Sequence, residues 1–272
     1  MKSNVLLFGL VLAMGLSACE KIDSEEPPIP TVPELTLAEK AKKYTDEHPD
    51  IQSPLIVNAL PKSVNVALGT VFIDTFKFGY NAQEQLVQIS TDRGPVLDIT
   101  LDQTARKATG KFGKQELNFQ LNQNGLAESA VGFFPSGKEA NNQYFYKNGY
   151  LVAMTDKLYL TTLKYSGNGD LLEWKGTTHQ GERVNISYEY TNYPNTIRQE
   201  VTYWTTTHLT FRGDFLGKYS SKLLKKAVIS VPSLSGSTFV LDFEYTFDIK
   251  GRVSRMLIKR DALSDVLYEY RY

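Results

Sequence analysis

One cysteine, three histidines and no surplus of either charge leave several classes of function without their usual chemistry in this 272-residue sequence. A lone thiol closes no internal disulfide, which excludes the framework of a small cystine-stapled domain. His48, His179 and His208 lie far apart and show no His-x-x-x-His spacing, so no metal ligand set and no cofactor are expected. Thirty basic residues cancel thirty acidic ones, whereas a nucleic-acid partner calls for a clustered basic face. There is no Gly-x-Ser-x-Gly elbow, and no uncharged run reaches the ~20 residues that a membrane-crossing helix needs. Helical periodicity is also scarce beyond residue 50, with Ser220 to Ala227 as an ambiguous stretch.

The single cysteine sits where it is most informative. Lys2 supplies a positive start, Val5 to Leu16 is uncharged and apolar, and small residues lead into Cys19, the layout of a secretory signal over residues 1–18. Leu16-Ser17-Ala18-Cys19 resembles the bacterial lipobox. That resemblance implies cleavage before Cys19 and lipidation of its thiol, making a membrane the first expected partner. Several acyl chains, each adding ~0.8 kcal/mol per buried CH₂, would hold such a chain without a transmembrane helix. Residues 19–34 then read as the lipidated cysteine and a tether, kept extended by Pro27, Pro28, Pro30 and Pro33 and solvated by Asp23, Glu25 and Glu26. These acids resemble, loosely, an export signal of surface lipoproteins, and they equally suit a plain spacer.

Residues 35–272 read as a single β-rich domain with one short helix. Thr36-Leu37-Ala38-Glu39 fits a capping box, predicting a helix to about Glu47 that stops before Pro49. From Val64 the period becomes two, as in Leu97-Ile99-Leu101, Leu117-Phe119-Leu121 and Phe239-Leu241-Phe243-Tyr245-Phe247. Turn signals such as Asn122-Gln123-Asn124-Gly125, Lys147-Asn148-Gly149 and Ser166-Gly167-Asn168-Gly169 separate these runs, because tight hairpins need positive φ. The result is an all-β antiparallel meander of successive hairpins, either a curled sheet or an open barrel. Twelve per cent of the residues are aromatic, with sixteen tyrosines and fourteen phenylalanines, which suits strands that are apolar on one face and wet on the other.

Tyr245-Thr246-Phe247-Asp248-Ile249-Lys250-Gly251-Arg252-Val253 resembles the tyrosine–aspartate hairpin repeat of large secreted β proteins. Together with the lipobox, the tether and the segment from Phe215 to Leu224, the hairpins are similar to a Bacteroidetes lipoprotein family described only as a domain of unknown function. The resemblance spans about residues 60 to 272. It implies a β-rich fold in the cell envelope, at the outer membrane and in some cases exposed on the surface, and brings no catalytic residues with it.

Two motifs mislead. Gly132-Phe133-Phe134-Pro135-Ser136-Gly137-Lys138 matches the first seven places of a phosphate-binding loop, but Glu139 stands where Ser or Thr should hold Mg²⁺ and a strand follows instead of a helix, so no nucleotide is expected. His48-Pro49-Asp50 matches the tripeptide of co-chaperone J-domains, yet prolines on both sides leave no room for the paired helices. One segment invites a ligand. Alternation over Val201 to Phe211 places Trp204, Thr206 and His208 on one polar face, suited to stacking a sugar ring; the same pattern fits a face that is covered, since Trp is highly buried on average. Trp174 reads as core. The leading expectation is a non-catalytic envelope lipoprotein that binds or scaffolds an extracellular glycan or a partner protein. A glycan-active hydrolase using Asp or Glu at a sheet edge, and a purely structural subunit of a surface-lipoprotein complex, stand as alternatives.

Overall fold

A computed structural model describes residues 34–56, 59–133, 139–177, 183–198, 214–232, 237–261 and 263–272. The chain divides into two units, Met1–Glu34 and Leu35–Tyr272, and the second carries every element given below. Helix α1 (Leu37–Glu47) begins at the expected capping box: the Thr36 hydroxyl accepts from the Glu39 amide at 3.3 Å, and the Glu39 carboxylate accepts from the Thr36 amide at 2.8 Å. Sixteen strands follow: β1 (Ser63–Leu68), β2 (Val71–Tyr80), β3 (Leu86–Thr91), β4 (Gly94–Asp102), β5 (Lys107–Phe112), β6 (Gln115–Leu121), β7 (Ala127–Phe133) and β8 (Glu139–Lys147). The second half comprises β9 (Tyr150–Thr155), β10 (Leu160–Tyr165), β11 (Leu171–Thr177), β12 (Arg183–Pro194), β13 (Lys222–Val231), β14 (Ser237–Phe247), β15 (Val253–Arg260) and β16 (Val266–Arg271). The ambiguous stretch from Ser220 thus enters a strand, where Leu223, Leu224, Ala227 and Ile229 are buried.

Each strand pairs antiparallel with its sequence neighbour, and β1 pairs with β16, from Ser63 opposite Arg271 to Leu68 opposite Val266. The meander is therefore a closed barrel and leaves no free sheet edge for another chain to pair with. Its upper rim carries the start of β1, the end of β16 and the β2–β3, β4–β5, β6–β7, β8–β9, β10–β11, β12–β13 and β14–β15 connections. The other connections form the lower rim.

Facing pairs show which way the wall is turned. Val64 opposite Phe76, Ile89 opposite Leu97, Phe119 opposite Ala130, Leu163 opposite Trp174 and Phe243 opposite Ile258 all point inward. The buried ones among them join one apolar cluster that draws on all sixteen strands when the half-buried side chains packed on it are included. Sixteen strands drawn as a circle would enclose a water-filled channel; here the inward side chains are buried and join one apolar cluster, so the barrel has a core. Trp174 is core, 1% exposed. Outward positions carry ion pairs such as Lys111–Glu116, Arg255–Glu269 and Lys259–Glu244. A wall facing lipid would be apolar there, since each Lys or Arg near the bilayer midplane costs ~2–4 kcal/mol. This wall is built for water. Ala41 of α1 and Ala153 of β9 are both fully buried yet lie outside the main cluster, because α1 lies on the outside of the wall over β8, β9 and β10.

Candidate ligand-binding cleft

Four upper-rim turns share one construction. In the turns that start at Asn81, Asn122, Ser166 and Asp248, the first residue donates its amide to the carbonyl four residues on, and the amide three residues on donates back to its carbonyl. The first side chain then takes up further amides: Asn122 Oδ1 accepts from Asn124 and Leu126 at 2.9 and 3.1 Å, and Asp248 Oδ1 from Lys250 and Arg252 at 2.9 Å each. Those bonds, led by the Arg252 amide, hold the Asp248 carboxyl below its usual range. The residue three places on has positive φ, which is why Gly125, Gly169 and Gly251 recur there. In the Asn81 turn the same place holds Glu84, with φ 58°.

A strap crosses this rim between α1 and β1. His48 Nε2 accepts from the Tyr165 amide at 3.3 Å, the Ile51 amide donates to Asn148 Oδ1 at 3.0 Å, and the Gln52 amide donates to the Gly167 carbonyl at 2.8 Å. Lys218, from the β12–β13 connection, reaches over the Tyr150 ring at 5.5 Å and donates to Ser53 Oγ at 2.6 Å and the Asn148 carbonyl at 2.9 Å. The start of that connection and the approach to β13 are held by a buried polar network. Asp170 accepts from Ser221 Oγ at 2.5 Å and from the Lys222 amide at 3.0 Å, and Asn195 Nδ2 donates to the Ser220 carbonyl at 3.0 Å. Phe215 turns inward and packs on Phe119 with ring centroids 4.8 Å apart.

Between the strap, α1, the Asn122 turn, the β8–β9 turn and the β12–β13 connection lies a cleft of about 1220 Å³. Asn122, Asn124 and Asn148 offer it amides, the half-buried Tyr146 offers part of a ring, and Lys218 offers a cation, while Tyr150 lies buried in the wall beneath Lys218. Burial pushes the Tyr150 phenol above its ordinary range and the Tyr144 phenol up to about 12, so both remain protonated at neutral pH. Three carboxylates line the cleft: Asp46, Glu128 and Asp214. Asp46 pairs with Lys42 at 2.8 Å, and Asp214 with Arg198 at 3.0 Å. This leaves Glu128 as the lining carboxylate without an ion pair among the described residues. The arrangement can orient a polar ligand by hydrogen bonds and ring contact.

Cys19, Trp204, Thr206 and His208 lie outside the described residues. His48 has a structural role, buried in the strap. Among the described residues no cluster of His, Cys, Asp and Glu could hold a metal ion. The cleft residues Asn124, Asn148, Tyr150 and Lys218 were not evident as a site from sequence, because Asn124 and Asn148 read as turn-formers and Lys218 lies in a segment marked only by its family resemblance. The signal that could have found them is repetition: several amide-bearing turns on alternate connections must share one rim of a closed meander.

No family model and no curated protein matches the chain. Solved structures do. One is a crystal structure of a porin-like protein from Bacteroides uniformis, aligned over 80% of this chain and 99% of that one with a TM-score of 0.57 and 14% sequence identity. At that identity the likeness carries the fold alone: an antiparallel β-barrel.

Proposed function

We propose that the protein is a non-catalytic binding module of the bacterial cell envelope, tethered to the outer membrane through lipidated Cys19, with an extracellular glycan as the ligand of the upper-rim cleft. The observation that carries this reading is the cleft itself, whose amides, half-buried Tyr146 ring and lysine suit the hydroxyl-rich edges and flat faces of sugar rings. The water-facing wall supports a body held at a membrane by its tether, not one embedded in it. Asn124 and Glu128 are exposed, so removing their side chains tests the cleft while leaving the barrel intact. Residues 20–272 are expected to bind on a glycan array, and Asn124→Ala with Glu128→Ala should weaken that binding about ten-fold or more, at ~1 kcal/mol per lost hydrogen bond. In the full chain, Cys19→Ser should abolish lipid labelling. An array that stays silent while a stable envelope protein co-purifies would replace the glycan with a protein partner. Unchanged labelling would remove the anchor.

A further inference from the structure

The apolar side chains that face solvent are unevenly placed. Of the fifteen large ones exposed among the described residues, ten sit on the lower rim or within a few residues of it. Val71 and Phe72 project from the β1–β2 hairpin, Phe133 ends β7, and Leu158 and Leu263 cap the β9–β10 and β15–β16 turns, each more than half exposed. These tips, here termed the collar, lie on four of the eight lower-rim connections, in two neighbouring pairs on opposite sides of the closed wall, an arrangement that matches a flat apolar layer better than a groove-filling peptide. Of the charges at this rim, Arg93 pairs with Asp74 at 3.6 Å and Lys157 with Glu139 at 2.9 Å, while Lys114 is exposed on the β5–β6 turn.

The direction of α1 shows at which end the barrel unit begins. Tyr44 donates to the Leu163 carbonyl at 3.3 Å and His48 accepts from the Tyr165 amide, so the helix runs along β10 with its start toward the lower rim. Eleven helical residues at ~1.5 Å each cover roughly five strand residues at ~3.3 Å, which brings Leu37 level with Leu160 at the lower end of β10. The barrel unit therefore begins at the collar end, with the 15 residues from Glu20 to Glu34 between it and Cys19.

We infer that the lower-rim collar is a membrane-contact surface that rests on the apolar boundary of a phospholipid bilayer and turns the upper-rim cleft away from it. The inference takes its orientation from the proposed anchoring, but lipid-free protein on vesicles tests the collar alone, and loss of the Cys19 anchor would leave that result standing. Residues 20–272 retain the whole barrel unit and its core. In co-flotation with phosphatidylcholine vesicles this chain is expected to rise with the lipid, and 0.5 M salt should not release it, because the contact is apolar. Phe72→Ser, Phe133→Ser and Leu158→Ser combined should reduce the bound fraction at least ten-fold at unchanged near-ultraviolet circular dichroism, while upper-rim Ile249→Ser should not. Phe133→Trp should show a blue-shifted emission when vesicles are added. Protein that stays with the buffer, a triple variant that still floats, or an unshifted Phe133→Trp would overturn the inference. So would a wild-type dimer, dissolved by the triple substitution, without any lipid binding; that result would identify a second copy of the chain as the occupant.

Discussion

At the scale of single residues, the upper-rim turns reveal where this sequence departs from its own rule. Three of the four like-built turns place glycine at the left-handed position, and the fourth places Glu84 there at φ 58°. A left-handed conformation costs a residue with a Cβ ~1–2 kcal/mol, against ~0.5–1 kcal/mol of extra chain entropy that glycine loses on folding. Glu84→Gly should therefore stabilise the barrel by about 0.5–1 kcal/mol, read as a rise of a few degrees in Tm. The carbonyl of residue 84, which accepts from Arg198 at 2.8 Å, is kept. A fall in Tm would mean that the Glu84 side chain contributes something the backbone account omits.

At the scale of elements, strand packing sets tighter limits than alternation alone implies. The Trp174 indole lies along its own strand over Gly176, where an added Cβ would meet Trp174 Cζ2 at 2.7 Å and Thr161 Oγ1 at 2.9 Å. Gly176→Ala should cost ~1–3 kcal/mol by overpacking, a drop of about 3–10 °C in Tm; a neutral result would show that the indole can move aside. Much of this level was legible in the sequence. The capping box, the end of α1 at Glu47, the burial of Trp174 and the hairpin series follow from local chemistry that a short window contains. Closure was not legible, because the pairing of Ser63–Leu68 with Val266–Arg271 joins segments about two hundred residues apart, and alternation is the same in an open sheet. The cleft was hidden for a related reason: Asn148, Tyr150, Lys218 and Ser53 meet only after the meander closes and the strap crosses it.

At the scale of the whole molecule, burial of aromatic groups ties stability to alkaline pH. Tyr144 and Tyr272 are both pushed from 10.0 to about 12, mainly by burial. Between those values the unfolded chain has lost phenolic protons that the folded chain retains, so stability is full below pH 10 and falls as pH rises toward 12. Thermal unfolding measured across that range should show Tm decreasing, with phenolate absorbance appearing together with unfolding; a flat Tm would contradict the burial of these rings. Direction of burial is also what separates this barrel from one that spans a membrane: its apolar face is inside and its ion pairs are outside. The most direct test is whether residues 20–272 fold in buffer that contains neither detergent nor lipid. A structured near-ultraviolet circular dichroism spectrum and one cooperative thermal transition are expected under those conditions. Aggregation in buffer, with folding restored only by detergent, would contradict it.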